Sequence, residues 1–184
     1  GVLSLSKNQI SINKRGHKNL GVHNYISKNL KISLDQWFDS IDSVYSKSIE
    51  GKISREKALS IISKNTRSPK LKLEKLIIKS YKKNFKENKK MHQIALKLKE
   101  EGYKIAILSD QWYLSKEAII PKSFYRDFNP TIISCDVGMR KPNPKIYQYI
   151  LKKLKLKPVQ TIFIDNQEWN IKPAKNIGMN TILF

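Results

Sequence analysis

An apolar run of strand length, Thr161-Ile-Phe-Ile164, stops at Asp165; a helical stretch follows, Gly178 closes it, and a second apolar run leads to Phe184. Strand, helix, strand in that order constrains the fold more than any other feature, because parallel neighbours need a long crossover between them. In a parallel α/β sheet, ligands bind just beyond the carboxyl ends of the strands, so an acid at that point faces a site and not a core. Two earlier runs end in the same manner. Ile105-Ala-Ile-Leu108 stops at Ser109-Asp110, and Thr131-Ile-Ile-Ser134 leads through Gly138 to Arg140-Lys141-Pro142. A hydroxyl, an ammonium and a carboxylate, each placed just past a strand, suit an anionic group held beside a divalent cation.

The rest of the chain arranges itself around these runs. Residues 1–20 are polar and turn-rich, with a loop expected at 14–17. From Ile26 to about Phe85 the apolar spacing is helical, with Ser33 and Ser54 placed to cap helices and Ser68-Pro69 marking a break. Trp37, Phe38, Tyr45 and Tyr81 are expected to form the core of this block. Met91, Ile94, Ala95 and Leu98 make an apolar stripe ended by Gly102. Asn143-Pro144 suits the start of a helix whose buried side is Ile146, Tyr147, Ile150, Leu151 and Leu154, and Asn170 is placed to cap the last one. The expected organisation is a helical cap region over residues 1–88 and an α/β core over residues 89–184.

Composition excludes several classes. No run approaches ~18 consecutive apolar residues, so no membrane span is expected. A single cysteine, Cys135, rules out an internal disulfide framework and fits a reducing, cytoplasmic setting, where it is expected to be a buried structural thiol. His17, His23 and His92 share no metal-ligand spacing, and His92 is expected to be solvated. The net charge of +21 raises a nucleic-acid reading. Against it, the lysines are scattered along every segment and arginine occurs only at 15, 55, 67, 126 and 140. Base and phosphate readout favours the planar arginine fork. No nucleic-acid partner is expected, although anionic small molecules are attracted by such a charge in any case.

Leu108-Ser109-Asp110, then Gly138-Met-Arg-Lys141-Pro-Asn-Pro-Lys-Ile-Tyr147, then Phe163-Ile-Asp165-Asn166 with Asn170 and Gly178-Met179 resemble the haloacid dehalogenase (HAD) superfamily, in particular its members with a helical cap inserted after the first strand. The resemblance covers essentially the whole chain and is most specific from Gly102 onward. It implies a Rossmann-like parallel sheet and a Mg²⁺-dependent phosphatase acting on a small phosphorylated metabolite through an aspartyl-phosphate. Ser109 would donate to a phosphoryl oxygen, Lys141 would face nucleophile and phosphoryl, and Asp165 with Asn166 would bind Mg²⁺. Asp110 would be a substrate-facing residue where Asn is usual. Read without the resemblance, Ser109 and Asp165 could cap the turns that follow them, and Lys141 could be one more surface lysine.

Family members open with a strand ending in the nucleophilic Asp, whereas this chain opens Gly1-Val2-Leu3, as if cut just after it. The expectation is that the nucleophile lies upstream, that the absent first strand leaves two half-sheets, and that the chain as written is inactive and poorly folded alone. Two other readings stand beside the phosphatase: a haloacid dehalogenase-type hydrolase, against which a metal site argues, and a non-catalytic HAD-like binding protein. Oligomeric state is not legible.

Overall fold

The computed structural model describes residues 1–7, 11–12, 18–19, 21–120 and 122–184; the loop expected at 14–17 lies outside them. Strands β1 (Ser4–Ser6), β2 (Ser11–Ile12) and β3 (Lys18–Asn19) precede helices α1 (Gly21–Leu30), α2 (Leu34–Ile49), α3 (Arg55–Thr66) and α4 (Lys70–Asn84). The second half runs β4 (Phe85–Glu87), α5 (Lys89–Glu100), β5 (Ile107–Ser109), α6 (Tyr113–Ile119), α7 (Lys122–Asp127), β6 (Thr131–Ile133), α8 (Ser134–Val137), α9 (Pro144–Leu154), β7 (Ile162–Asp165), α10 (Glu168–Asn176) and β8 (Asn180–Leu183). This is a mixed α/β fold, helix-rich with short parallel sheets, as the strand and helix order indicates.

Local chemistry explains the helix boundaries. Ser33 and Gln36 form a reciprocal capping box at the start of α2, with backbone-to-side-chain bonds of 2.8 and 3.0 Å. Ser54 caps α3 by accepting from the Lys57 N–H at 3.2 Å. Asn143 caps α9, which carries Pro144 in its first turn, and Gly102 adopts φ +92° after α5. Asn170 does not cap α10. The helix begins two residues earlier, because Asp165 Oδ1 accepts the Gln167 N–H at 2.9 Å and starts the turn itself.

The four helices α1–α4 close around Val22, Ile26, Trp37, Val44, Ile62, Leu73 and Ile77, joined by Trp112 and Leu114 from the segment after β5. Trp37 Nε1–H donates to His23 Nδ1 at 2.9 Å, so the indole enters this core with its one polar atom satisfied. Tyr81 is buried there, while Phe38 and Tyr45 pack at its margin. Two strands not anticipated by helical periodicity, β1 and β4, pair antiparallel with Leu5 opposite Lys86. Each is only three residues long, too short for alternation to register.

The parallel strands fall into two separate pairs, β5 with β6 and β7 with β8. Among the described residues no ladder joins the pairs, which matches the expected division into half-sheets. Phe163, Ile146, Tyr147, Ile150 and Ala174 build the core between β7, α9 and α10; Ile107, Ile133, Phe124 and Phe128 build a second one beside β5 and β6. The stripe on α5 behaves differently from its expectation. Ala95 packs inward, but Ile94 and Leu98 remain 42% and 39% exposed. A pair of strands is ~5 Å across between its axes, narrower than the ~10 Å of a helix with side chains, so the β5–β6 pair covers only part of that stripe. His92 is also not solvated: it is 13% exposed, bonded to Glu87 Oε1 at 2.6 Å and Asp127 Oδ2 at 3.2 Å, because β4 and α7 flank it. Among the described residues no helix is long and apolar enough to cross a membrane.

Gly51, just past α2, has φ +64°, and a Cβ there would collide with the Cys135 carbonyl oxygen on α8. Positive φ and close backbone approach both require glycine. Gly51→Ala is expected to cost about 2 kcal/mol or more, read as a lower urea midpoint; an unchanged midpoint would mean that α2 and α8 do not meet there.

Candidate functional site

Lys141 sits in the loop between α8 and α9, and its ammonium is the hub of the site. Nζ donates to Asp165 Oδ2 at 2.6 Å and to the Leu108 carbonyl at 3.2 Å. Its backbone N–H donates to Asp110 Oδ1 at 3.2 Å. The ammonium also lies 5.7 Å from the ring centroid of Phe163, on β7. Lys141 and Asp165 side chains are each only 8% exposed, so this pair operates in a dry environment. An ammonium has three N–H donors; two are used here, leaving one for an anion.

Asp165, the last residue of β7, accepts hydrogen bonds at both carboxylate oxygens. Oδ2 takes Lys141, and Oδ1 takes the Gln167 N–H and Asn170 Nδ2 at 3.2 Å. Asn170 is therefore a site residue in a role its sequence position did not suggest, and among the described residues its buried Oδ1 has no hydrogen-bond partner. Tyr147 secures it from below, with its hydroxyl donating to the Asn170 carbonyl at 2.8 Å. Asn166 is exposed and turns toward the start of the chain: its Oδ1 lies 3.8 Å from where a Cβ on Gly1 would stand.

Ser109 ends β5 and receives a hydrogen bond from Gln111 Nε2 at 3.3 Å. Burial raises the Asp110 carboxyl above its ordinary value, against the opposing Lys141 charge and N–H. From the helical side, Arg140 Nε meets Glu50 Oε1 at 3.1 Å, tying the end of α2 to the residue preceding Lys141. Tyr45 on α2 stacks edge-on with Trp112 at 5.2 Å, and Trp112 Nε1–H donates to the Tyr81 hydroxyl at 3.1 Å. Burial pushes the Tyr45 phenol up; its hydrogen bond with Tyr81 and the Arg140 charge oppose this, and the Asp110 charge adds to it. Helical and α/β regions thus meet over one group of polar residues. The structure gathers Asp110, Lys141 and Asp165 directly, sets Ser109 beside them on β5, and leaves Asn166 on the rim.

The oxygen donors here suit a hard cation. Mg²⁺ is commonly held by one or two carboxylates with water and substrate phosphates completing an octahedron. Asp165 and the exposed Asn166 amide offer such a partial shell, and among the described residues no cluster of three or more His, Cys, Asp or Glu offers a fuller one.

A profile describing haloacid dehalogenase-like hydrolases matches residues 20–184. Bifunctional epoxide hydrolase 2 of Rattus norvegicus is 39% identical over 101 residues, which is 52% of this chain and 18% of that protein. Glyceraldehyde 3-phosphate phosphatase of Pyrococcus furiosus is 36% identical over 95 residues, 48% of this chain and 38% of that protein. The matches thus span well under two thirds of these relatives. Among solved structures, a HAD family enzyme of Bacteroides thetaiotaomicron, a mutant in complex with magnesium and inorganic phosphate, aligns with a TM-score of 0.73 at 20% identity, covering 95% of this chain and 87% of that one. L-2-haloacid dehalogenase from Xanthobacter autotrophicus aligns at 0.57 and 15% identity, covering 87% and 69%. At such identities the structural likeness speaks for the fold alone.

The raised Asp110 carboxyl has a consequence for stability. Its folded value lies above its unfolded one, so ionisation disfavours the folded state above the folded value, and that cost vanishes below the unfolded value. Asn keeps the oxygen that accepts the Lys141 N–H. Asp110→Asn is therefore expected to raise the urea midpoint at neutral pH, with the gain shrinking as pH falls through the carboxylate range. A lowered midpoint at neutral pH would show that attraction to Lys141 outweighs burial.

Proposed function

The chain belongs to the haloacid dehalogenase-like hydrolases, and from that membership we propose that the Ser109, Lys141 and Asp165 cluster serves a Mg²⁺-dependent phosphatase acting on a small phosphorylated metabolite. The observation that carries the reading is the buried Lys141 ammonium, held at the ends of β5 and β7 with one donor to spare. Phosphoryl transfer asks a protein mainly for positioning and charge stabilisation. Ser109 would donate its hydroxyl to one phosphoryl oxygen and Lys141 its remaining N–H to another. Asp165 and Asn166 would hold Mg²⁺, which neutralises charge on the phosphoryl oxygens when bound.

The reading assigns the attack on phosphorus to an aspartate carboxylate entering between the ends of β5 and β7, giving an aspartyl-phosphate that water then hydrolyses. Glyceraldehyde 3-phosphate phosphatases among the relatives, including those of Pyrococcus furiosus and Methanocaldococcus jannaschii, support a phosphate ester as substrate. The net charge of +21 supports capture of an anionic small molecule. The lone, buried Cys135, its thiol pushed up to about 11 mainly by burial, supports a reducing, cytoplasmic setting.

The test joins a strand carrying an aspartate ahead of Gly1 and screens phosphate esters with and without Mg²⁺, with the unextended chain screened alongside. Asp165→Asn is the informative substitution, since it keeps an oxygen to accept the Lys141 N–H where alanine keeps none; because either change leaves the buried ammonium without its counter-charge, folding is checked by circular dichroism. Phosphate release is expected to require the metal and to fall about 100-fold or more in Asp165→Asn. Release from no ester, or equal release without metal, would remove the assignment.

A further inference from the structure

We infer that Gln111 is a positioning residue that sets which way the Ser109 hydroxyl donates, a role that rests on the phosphate reading of the site. Gln111 is held at both ends. Its backbone N–H donates to Ser134 Oγ at 3.0 Å, and that hydroxyl faces back to the Gln111 carbonyl at 3.2 Å. Ser134 is fully buried at the end of β6, so the turn after β5 is anchored to the neighbouring strand. The side chain is held as firmly: the buried Ser115 hydroxyl donates to Gln111 Oε1 at 2.7 Å. With the amide oxygen occupied there, Nε2 is the atom left to face Ser109, at 3.3 Å.

An amide nitrogen only donates, whereas a hydroxyl both donates and accepts. Ser109 Oγ is therefore the acceptor in this contact, and its own proton is left free. A hydroxyl at the end of β5 whose accepting side is filled from behind presents that proton to an anion in front of it. Removing the amide donor lets the hydroxyl rotate. Replacing it by a carboxylate does more, because the carboxylate captures the Ser109 proton and turns the donor away from the ligand. Ser115 and Ser134 act through Gln111, and neither needs to touch the ligand.

The experiment is titration calorimetry of inorganic phosphate, with Mg²⁺ present, into the chain extended by the aspartate-bearing strand and into its Gln111→Glu, Ser109→Ala and double variants. Gln111→Glu is expected to weaken phosphate binding about tenfold when Ser109 is present, the scale of one hydrogen bond to a charged group. In the Ser109→Ala background the same substitution is expected to change binding less than about twofold. An equal loss in both backgrounds overturns the inference, since charge repulsion or local disruption would act without Ser109. If circular dichroism shows Gln111→Glu unfolded, Gln111→Met takes its place; it carries neither donor nor charge and is expected to cost about threefold, again only with Ser109 present. Full-strength binding by the Gln111 variants sinks this inference alone. Absence of binding by the unsubstituted chain sinks the phosphate reading, and this inference with it.

Discussion

The ion pair between Lys141 and Asp165 is the contact on which the two halves of the α/β region depend. Among the described residues the parallel strands form two pairs with no ladder between them, yet one ammonium donates both to the backbone at the end of β5 and to the carboxylate at the end of β7. Burying two charges costs several kcal/mol per ion. A pair 8% exposed on each side persists only because every oxygen of the carboxylate is satisfied, by Gln167 and Asn170 on one side and Lys141 on the other. The same network that relieves the desolvation cost also fixes the geometry of the site. Stability and chemistry draw here on the same atoms.

The helical region is fastened to that network rather than merely packed near it. Arg140, adjacent to the hub lysine, pairs with Glu50 at the end of α2, and Gly51 brings that helix end against the Cys135 carbonyl of α8. Trp112, two residues beyond Asp110, is a core residue of the helices and hydrogen-bonds Tyr81 of α4. Displacement of the helices would therefore be felt at Arg140 and at the turn after β5. The tyrosines of the helical region and the polar cluster therefore share one interface.

Legibility in the sequence followed the range of the interactions. Apolar runs ending at Ser109 and Asp165, the serine caps of α2 and α3, and the Asn143-Pro144 start of α9 are all local, and each stands where its neighbours along the chain require. What escaped depends on side-chain contacts that residue type and periodicity do not encode. Asn170 looked like a cap because Asn often is one, and only the carboxylate of Asp165 folding back onto Gln167 moves the helix start and turns Asn170 toward the site. His92 read as exposed because its acids come from β4 and α7, thirty-five residues away in one case. The α5 stripe has the periodicity of a buried face, but periodicity says nothing about how wide a sheet is available to cover it.

Lysine abundance, finally, turns out to be a poor guide to which lysine matters. With 36 basic residues against 15 acidic ones, composition makes every lysine look like surface charge, and most ammoniums in such a chain contribute only a diffuse positive field that salt screens within ~8–10 Å. Lys141 differs in kind. Its charge is withdrawn from solvent and neutralised by a single carboxylate, so an anion arriving beside it competes with Asp165 and not with bulk ions. The diffuse field can raise the rate at which anions of any sort approach, while discrimination among them must come from the few donors fixed in the dry site. A chain this basic can therefore be selective, provided that the selective charge is the buried Lys141 ammonium at the strand ends.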